Sequence, residues 1–136
     1  MAYRLLIRLA ATAVGVVTVT SSFAQYPPVA PGFDIMLAEQ VAGQKVFNTH
    51  CAACHGAEKS SPVGPSLHRI VGRPAASLHD FPYSEALRKS ELTWTEDNLR
   101  KWIADNAQLV PNTLMPHVSI SDRAEQTYLI AYLKTF

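Results

Sequence analysis

The sequence predicts an all-α fold, and three observations carry that expectation. Several segments place apolar residues at three- and four-residue spacing behind side chains suited to capping a helix. No run alternates apolar and polar residues over the length of a strand. From Gly56 to Thr93 there is little periodicity, and Pro62, Pro65, Pro74 and Pro82 punctuate the stretch. An irregular segment of that length is uncommon in a compact domain unless it wraps something that stands in for a protein core.

Arg4 and Arg8 precede an uncharged, mostly apolar run from Leu9 to Val19, and Ser22-Phe23-Ala24 follows. This is the three-part layout of a secretory signal over residues 1–24, with cleavage expected after Ala24. The apolar run is too short for a spanning helix, which needs roughly 20 residues. Residues 25–33 (QYPPVAPGF) then read as an extended lead-in. A domain over 34–136 follows.

Within that domain Asp34 is expected to cap a first helix running to about His50. Its apolar face is read from Leu37 and Val41, with Ala38, Ala42 and Val46. A short helix is expected over Ser84 to Lys89. Thr95 caps a stronger one, with Glu96 and Asp97 in the turn where the helix dipole favours anions. Leu99, Trp102 and Ile103 give its face, and it should end near Asn106. A last helix starts at Ser121 or Asp122 and buries Leu129, Tyr132, Leu133 and Phe136. These segments make three to five helices.

Composition excludes several classes. The chain of 136 residues is 48% hydrophobic and 17% charged, unlike a disordered chain. A formal charge of +1 gives no basic field for nucleic acid. Two cysteines are too few for a disulfide-dense scaffold.

Cys51-Ala52-Ala53-Cys54-His55 carries the chemistry. C-x-x-C-H is the attachment site of c-type haem. Two thiols at this spacing form thioethers to one porphyrin, and the adjacent histidine sits beneath the iron. A redox dithiol would open a helix after a strand, whereas this motif follows a helical pattern. A zinc site would need two more close ligands. For the sixth iron ligand Met115 is favoured, because it lies in a proline-braced loop between Pro111 and Pro116. His117 is its rival. Met/His ligation is a carrier's arrangement.

The chain resembles the class I cytochromes c from about Gly43 to Lys134. The resemblance rests on Gly43 and Phe47 before the CAACH motif, Gly64-Pro65, Gly72-Arg73, Phe81-x-Tyr83-Ser84, Trp94, Val110-Pro111-x-Thr113-x-Met115 and the segment Leu129 to Lys134. It implies a cytochrome c fold wrapped around one haem c held by Cys51 and Cys54. His55 and Met115 would be the axial ligands, and the Pro65 carbonyl would accept the second imidazole N–H. Arg73, Tyr83 and Trp94 would hydrogen-bond a haem propionate, with Thr113 near it. Gly43 would allow the first helix to cross the last closely, beside Phe47 and Tyr132.

The sequence also departs from that family. Leu114 stands where a lysine is frequent, and Asn112 replaces a common glycine. Trp102 takes the place of a tyrosine that usually hydrogen-bonds the methionine sulfur, and Leu87 that of an asparagine. Only five lysines remain after the signal, so the ring that steers the mitochondrial type onto acidic partners is weak.

The resemblance implies an electron carrier rather than an enzyme. The expected role is a periplasmic, monomeric, monohaem shuttle of single electrons in a respiratory or photosynthetic chain. It would not span a membrane in mature form or bind nucleic acid. Its donor would be a quinol-oxidising complex or a periplasmic dehydrogenase, and its acceptor an oxidase, reaction centre or reductase. The alternative is a dedicated electron-accepting cytochrome subunit of one periplasmic dehydrogenase.

Overall fold

A computed structural model describes residues 33–56, 59–116 and 118–136. The expected signal over 1–24, the lead-in up to residue 32 and His117 lie outside the described residues. Among the described residues five helices follow one another: α1 (Phe33–His50), α2 (Glu85–Lys89), α3 (Glu96–Ala104), α4 (Asn106–Leu109) and α5 (Arg123–Leu133). Among the described residues the only strand-like pairing is an isolated bridge between Pro74 and Thr93.

The α1–α5 crossing organises the domain. A Cβ at Gly43 would lie 2.6 Å from the Tyr128 carbonyl carbon and 2.7 Å from the Tyr132 Cβ. Only a residue without a side chain permits that approach. Beside it Phe47, Tyr132 and Phe136 pack their rings at centroid distances of 4.9–5.5 Å, in the tilted and edge-on arrangements that aromatic pairs prefer. Leu129, Ile130 and Leu133 of α5 are buried. Full burial of such side chains stabilises a fold by about 1.5–3 kcal/mol each.

The face expected for α1 is corrected. Leu37 and Val41 are 50% and 61% exposed, and Ile35 and Met36 are exposed as well. The helix meets α5 through its second half, where Gly43 and Phe47 are buried and Ala42 and Val46 are half-buried. Close approach at a glycine, not the count of apolar residues, fixes the buried face. α1 also begins at Phe33, which puts Asp34 within its first turn rather than at its cap.

The later elements obey their caps. The Ser84 and Thr95 side chains accept from the Leu87 and Asn98 N–H groups at the starts of α2 and α3. α3 buries Leu99, Trp102 and Ile103 as expected. It ends at Ala104, short of the expected Asn106. There Asp105 is extended and its side chain accepts from the Gln108 N–H, which starts α4. The Asp122 side chain caps α5 by accepting from the Ala124 and Glu125 N–H groups. Tyr132 and Phe136, expected on the buried face of the last helix, are only half-buried, and Phe136 lies beyond the helix end.

Candidate functional site

The core is not filled by protein alone. A cleft of about 370 Å³ runs through it, and all ten site residues named from the sequence except Trp94 and Trp102 are half-buried or less around it. The end of α1 supplies one wall. Its last turn continues as the Cys51 and Ala52 N–H groups donate to the Phe47 carbonyl at 2.8 and 3.0 Å. The His55 N–H donates to the Cys51 carbonyl at 2.9 Å. This turn sets both half-buried thiols and the His55 ring along the cleft.

The His55 Nδ1 lies 2.9 Å from the Pro65 carbonyl oxygen. A carbonyl only accepts, so Nδ1 carries the proton and the Nε2 lone pair is left for a ligand bond. Burial lowers the His55 pKa, opposed by the Pro65 hydrogen bond; the net effect keeps the ring neutral and ligand-competent. The Cys51 thiol is pushed up to about 11 by burial and by nearby Cys54.

A second wall comes from the loop after α4. Met115 is half-buried against the core. Its sulfur accepts a hydrogen bond from the Trp102 indole N–H at 3.1 Å. A thioether sulfur has a second lone pair, so this bond leaves one for a metal. Asn112, in place of the common glycine, adopts the left-handed conformation at φ 65°, which asparagine tolerates better than most residues. Thr113 is half-buried on the same cleft, and its hydroxyl lies 3.5 Å from the Met115 N–H.

Sequence reasoning missed Asn106. Its side chain is fully buried and donates to the Met115 carbonyl at 2.9 Å and to the Pro116 carbonyl at 3.3 Å. The only local signal was a polar residue beyond the apolar face of α3. Gln126 was missed for the same reason: it is buried on α5 and donates to the Ile120 carbonyl at 2.8 Å.

Arg73, Tyr83 and Trp94 meet on the remaining wall. Arg73 donates to the His68 carbonyl at 2.6 Å and to the Ser66 carbonyl at 2.8 Å. A guanidinium has five N–H donors, so others remain for an anion. Burial lowers its pKa, an effect that Tyr83 and Asp80 oppose. Burial raises that of Tyr83, and Arg73 opposes it. The Trp94 ring is 6% exposed and lines the cleft. It packs on Trp102 at 5.1 Å between centroids, with the planes at 67°. Leu87, where the family has asparagine, is buried and lines the cleft.

This donor set fits a haem c. It combines two thiols, an imidazole with one nitrogen already tied, a thioether and a cluster of polar donors around an otherwise apolar cleft. Fold and site together define a c-type haem protein. The family model for cytochrome c matches residues 40–136. The chain is 39% identical over 97 residues to cytochrome c2 of Rhodoblastus acidophilus, covering 70% of this chain and 90% of that protein. It is 35% identical over 94 residues to the cytochrome c-type cyt cy of Rhodobacter capsulatus, covering 69% of this chain but only 47% of that longer protein. Among solved structures, cytochrome cH from Methylobacterium extorquens superposes with a TM-score of 0.68 at 43% identity, covering 71% of this chain and 98% of that one. The chain belongs to the cytochrome c family, as a class I member with the cytochrome c fold. Its cofactor is haem c, attached through Cys51 and Cys54, and its activity is electron transport.

Proposed function

We propose that this chain is a periplasmic shuttle in which His55 and Met115 would both ligate the haem iron. The observation that carries this reading is the restraint on Met115, whose sulfur is bonded by Trp102 and whose carbonyl is bonded by Asn106. A ligand held at both ends keeps the sixth position closed, so no substrate binds there. Bound haem supplies an iron that cycles between ferric and ferrous by one electron. The protein's part is to orient the ligands, exclude water and compensate the propionates. Arg73, Tyr83 and Trp94 supply that compensation, with Thr113 beside them, because an unpaired carboxylate is costly to bury. Export is supported by the Arg4/Arg8 and Ser22-Phe23-Ala24 layout. No helix of the described residues is long and apolar enough to cross a membrane.

The test is exposure of the reduced, haem-loaded protein to carbon monoxide. The absorption spectrum is expected to stay unchanged. Rapid conversion to an adduct would open the sixth site and overturn the reading.

The rim of the cleft bears on the partner. Leu114 is 76% exposed and Val63 is 63% exposed, and both line the cleft. Pro62 and Pro116 are exposed there too. These apolar rim residues favour a redox partner that docks through apolar contact, whether a chain complex or a single dehydrogenase. Electron exchange with an anionic and with a cationic metal complex should change less than about twofold between low and physiological salt. Steep slopes of opposite sign would place a charged ring at the haem edge and overturn the apolar docking face.

A further inference from the structure

We infer that Ser60 and Ser61 are positioning residues for the iron ligand His55, acting through the Pro65 carbonyl. The inference rests on the reading of His55 as an axial ligand. The acceptor of the His55 Nδ1 proton belongs to a proline, which has no N–H by which its own backbone can be tied. The restraint must therefore come from its two neighbours, and consecutive serines supply it on both sides.

Before Pro65, the Gly64 N–H donates to the Ser61 hydroxyl oxygen at 3.0 Å, and the Val63 N–H does so at 3.2 Å. The Ser61 hydroxyl donates in turn to the Cys54 carbonyl at 2.7 Å. One hydroxyl with one proton and two lone pairs is fully used. It ties the haem-attachment motif directly to the residue before the acceptor. The Ser61 N–H closes the turn by donating to the Gly64 carbonyl at 2.8 Å. After Pro65, the Ser66 N–H donates to the Ser60 hydroxyl at 3.0 Å, and the Ser66 carbonyl accepts from Arg73.

Gly64 shows how tightly this clamp lies on the ligand. A Cβ there would stand 2.6 Å from the Cys54 oxygen and 3.0 Å from both Cε1 and Nδ1 of the His55 ring. The backbone is pressed against the imidazole, and the serine hydroxyls hold it there. A carbonyl held firmly against Nδ1–H strengthens electron donation through the ring, which stabilises ferric iron. Loosening the clamp weakens that donation and raises the reduction potential.

Ser61→Ala, Ser60→Ala and Ser61→Thr are compared in the haem-loaded protein. Two quantities are read: the reduction potential, and exchange of the His55 Nδ1 proton with solvent by NMR. Both alanine variants should speed Nδ1 exchange by about tenfold or more. Both should move the ferric-to-ferrous ratio at fixed poise about threefold toward ferrous. Ser61→Thr keeps the hydroxyl and should restore both. If Ser61→Ala does not retain haem, Ser60→Ala against Ser61→Thr still decides. The inference falls if the alanine variants lose thermal stability while potential and Nδ1 exchange stay at the parent values. A parent protein without an iron-shifted His55 ring signal would instead overturn the ligand reading itself.

Discussion

Met115→Ala is expected to convert a closed haem site into an open one. The reduced variant should form a carbon monoxide adduct within seconds where the parent forms none. Loss of the thioether removes the ligand type that raises the potential, so the ferric form should gain at fixed poise by well over about tenfold. The change also strands the Trp102 indole N–H, which bonds the sulfur at 3.1 Å. A buried donor left without its partner costs about 1–3 kcal/mol, and the melting temperature should fall accordingly. The absorption spectrum under carbon monoxide is the measurement. An unaltered spectrum in Met115→Ala would mean that another residue holds the sixth position.

Gly43→Ala is expected to be the most damaging single methyl addition in the described fold. Alanine is the better helix former by about 1 kcal/mol, so propensity alone predicts stabilisation. The added Cβ would meet the Tyr128 carbonyl carbon at 2.6 Å and the Tyr132 Cβ at 2.7 Å. Neither is the tip of a flexible side chain, so α1 must lift away from α5. A net loss of about 3 kcal/mol is expected in denaturant unfolding, the upper end for overpacking. Gln44→Ala, at an exposed neighbouring position, is the control and should change stability by less than about 0.5 kcal/mol. Equal stability of Gly43→Ala and the parent would mean that the crossing is not close-packed.

What the sequence revealed was local. The cap at Thr95 and the apolar stripe of α3 depend on residues within one or two turns of each other. The CAACH motif is five consecutive residues. The buried face of α1 was misread because Leu37 and Val41 satisfy a helical period, yet a period says nothing about where a partner helix crosses. Asn106, Ser60 and Ser61 were invisible for a related reason. Each acts on backbone groups that the fold alone brings near, at separations of three to ten residues without any pattern. Spacing marks Trp102 as part of the buried face of α3, and the resemblance marks it as standing where relatives carry a tyrosine. That its N–H reaches the Met115 sulfur required the packing of α3 against the loop beyond α4.

The α1–α5 contact has a consequence for the order of assembly. Gly43 and Tyr128 touch across most of the domain's length in sequence. No hairpin preforms such a contact, and closing so long a loop carries an entropic cost that grows with its length. Most of a helix's stability in a protein comes from tertiary packing rather than propensity, so α1 lacks that support until α5 packs against it. Among the described residues, the last helix completes the first. Until the two helices meet, the two thiols at the end of α1 stand on an open chain, accessible to a porphyrin.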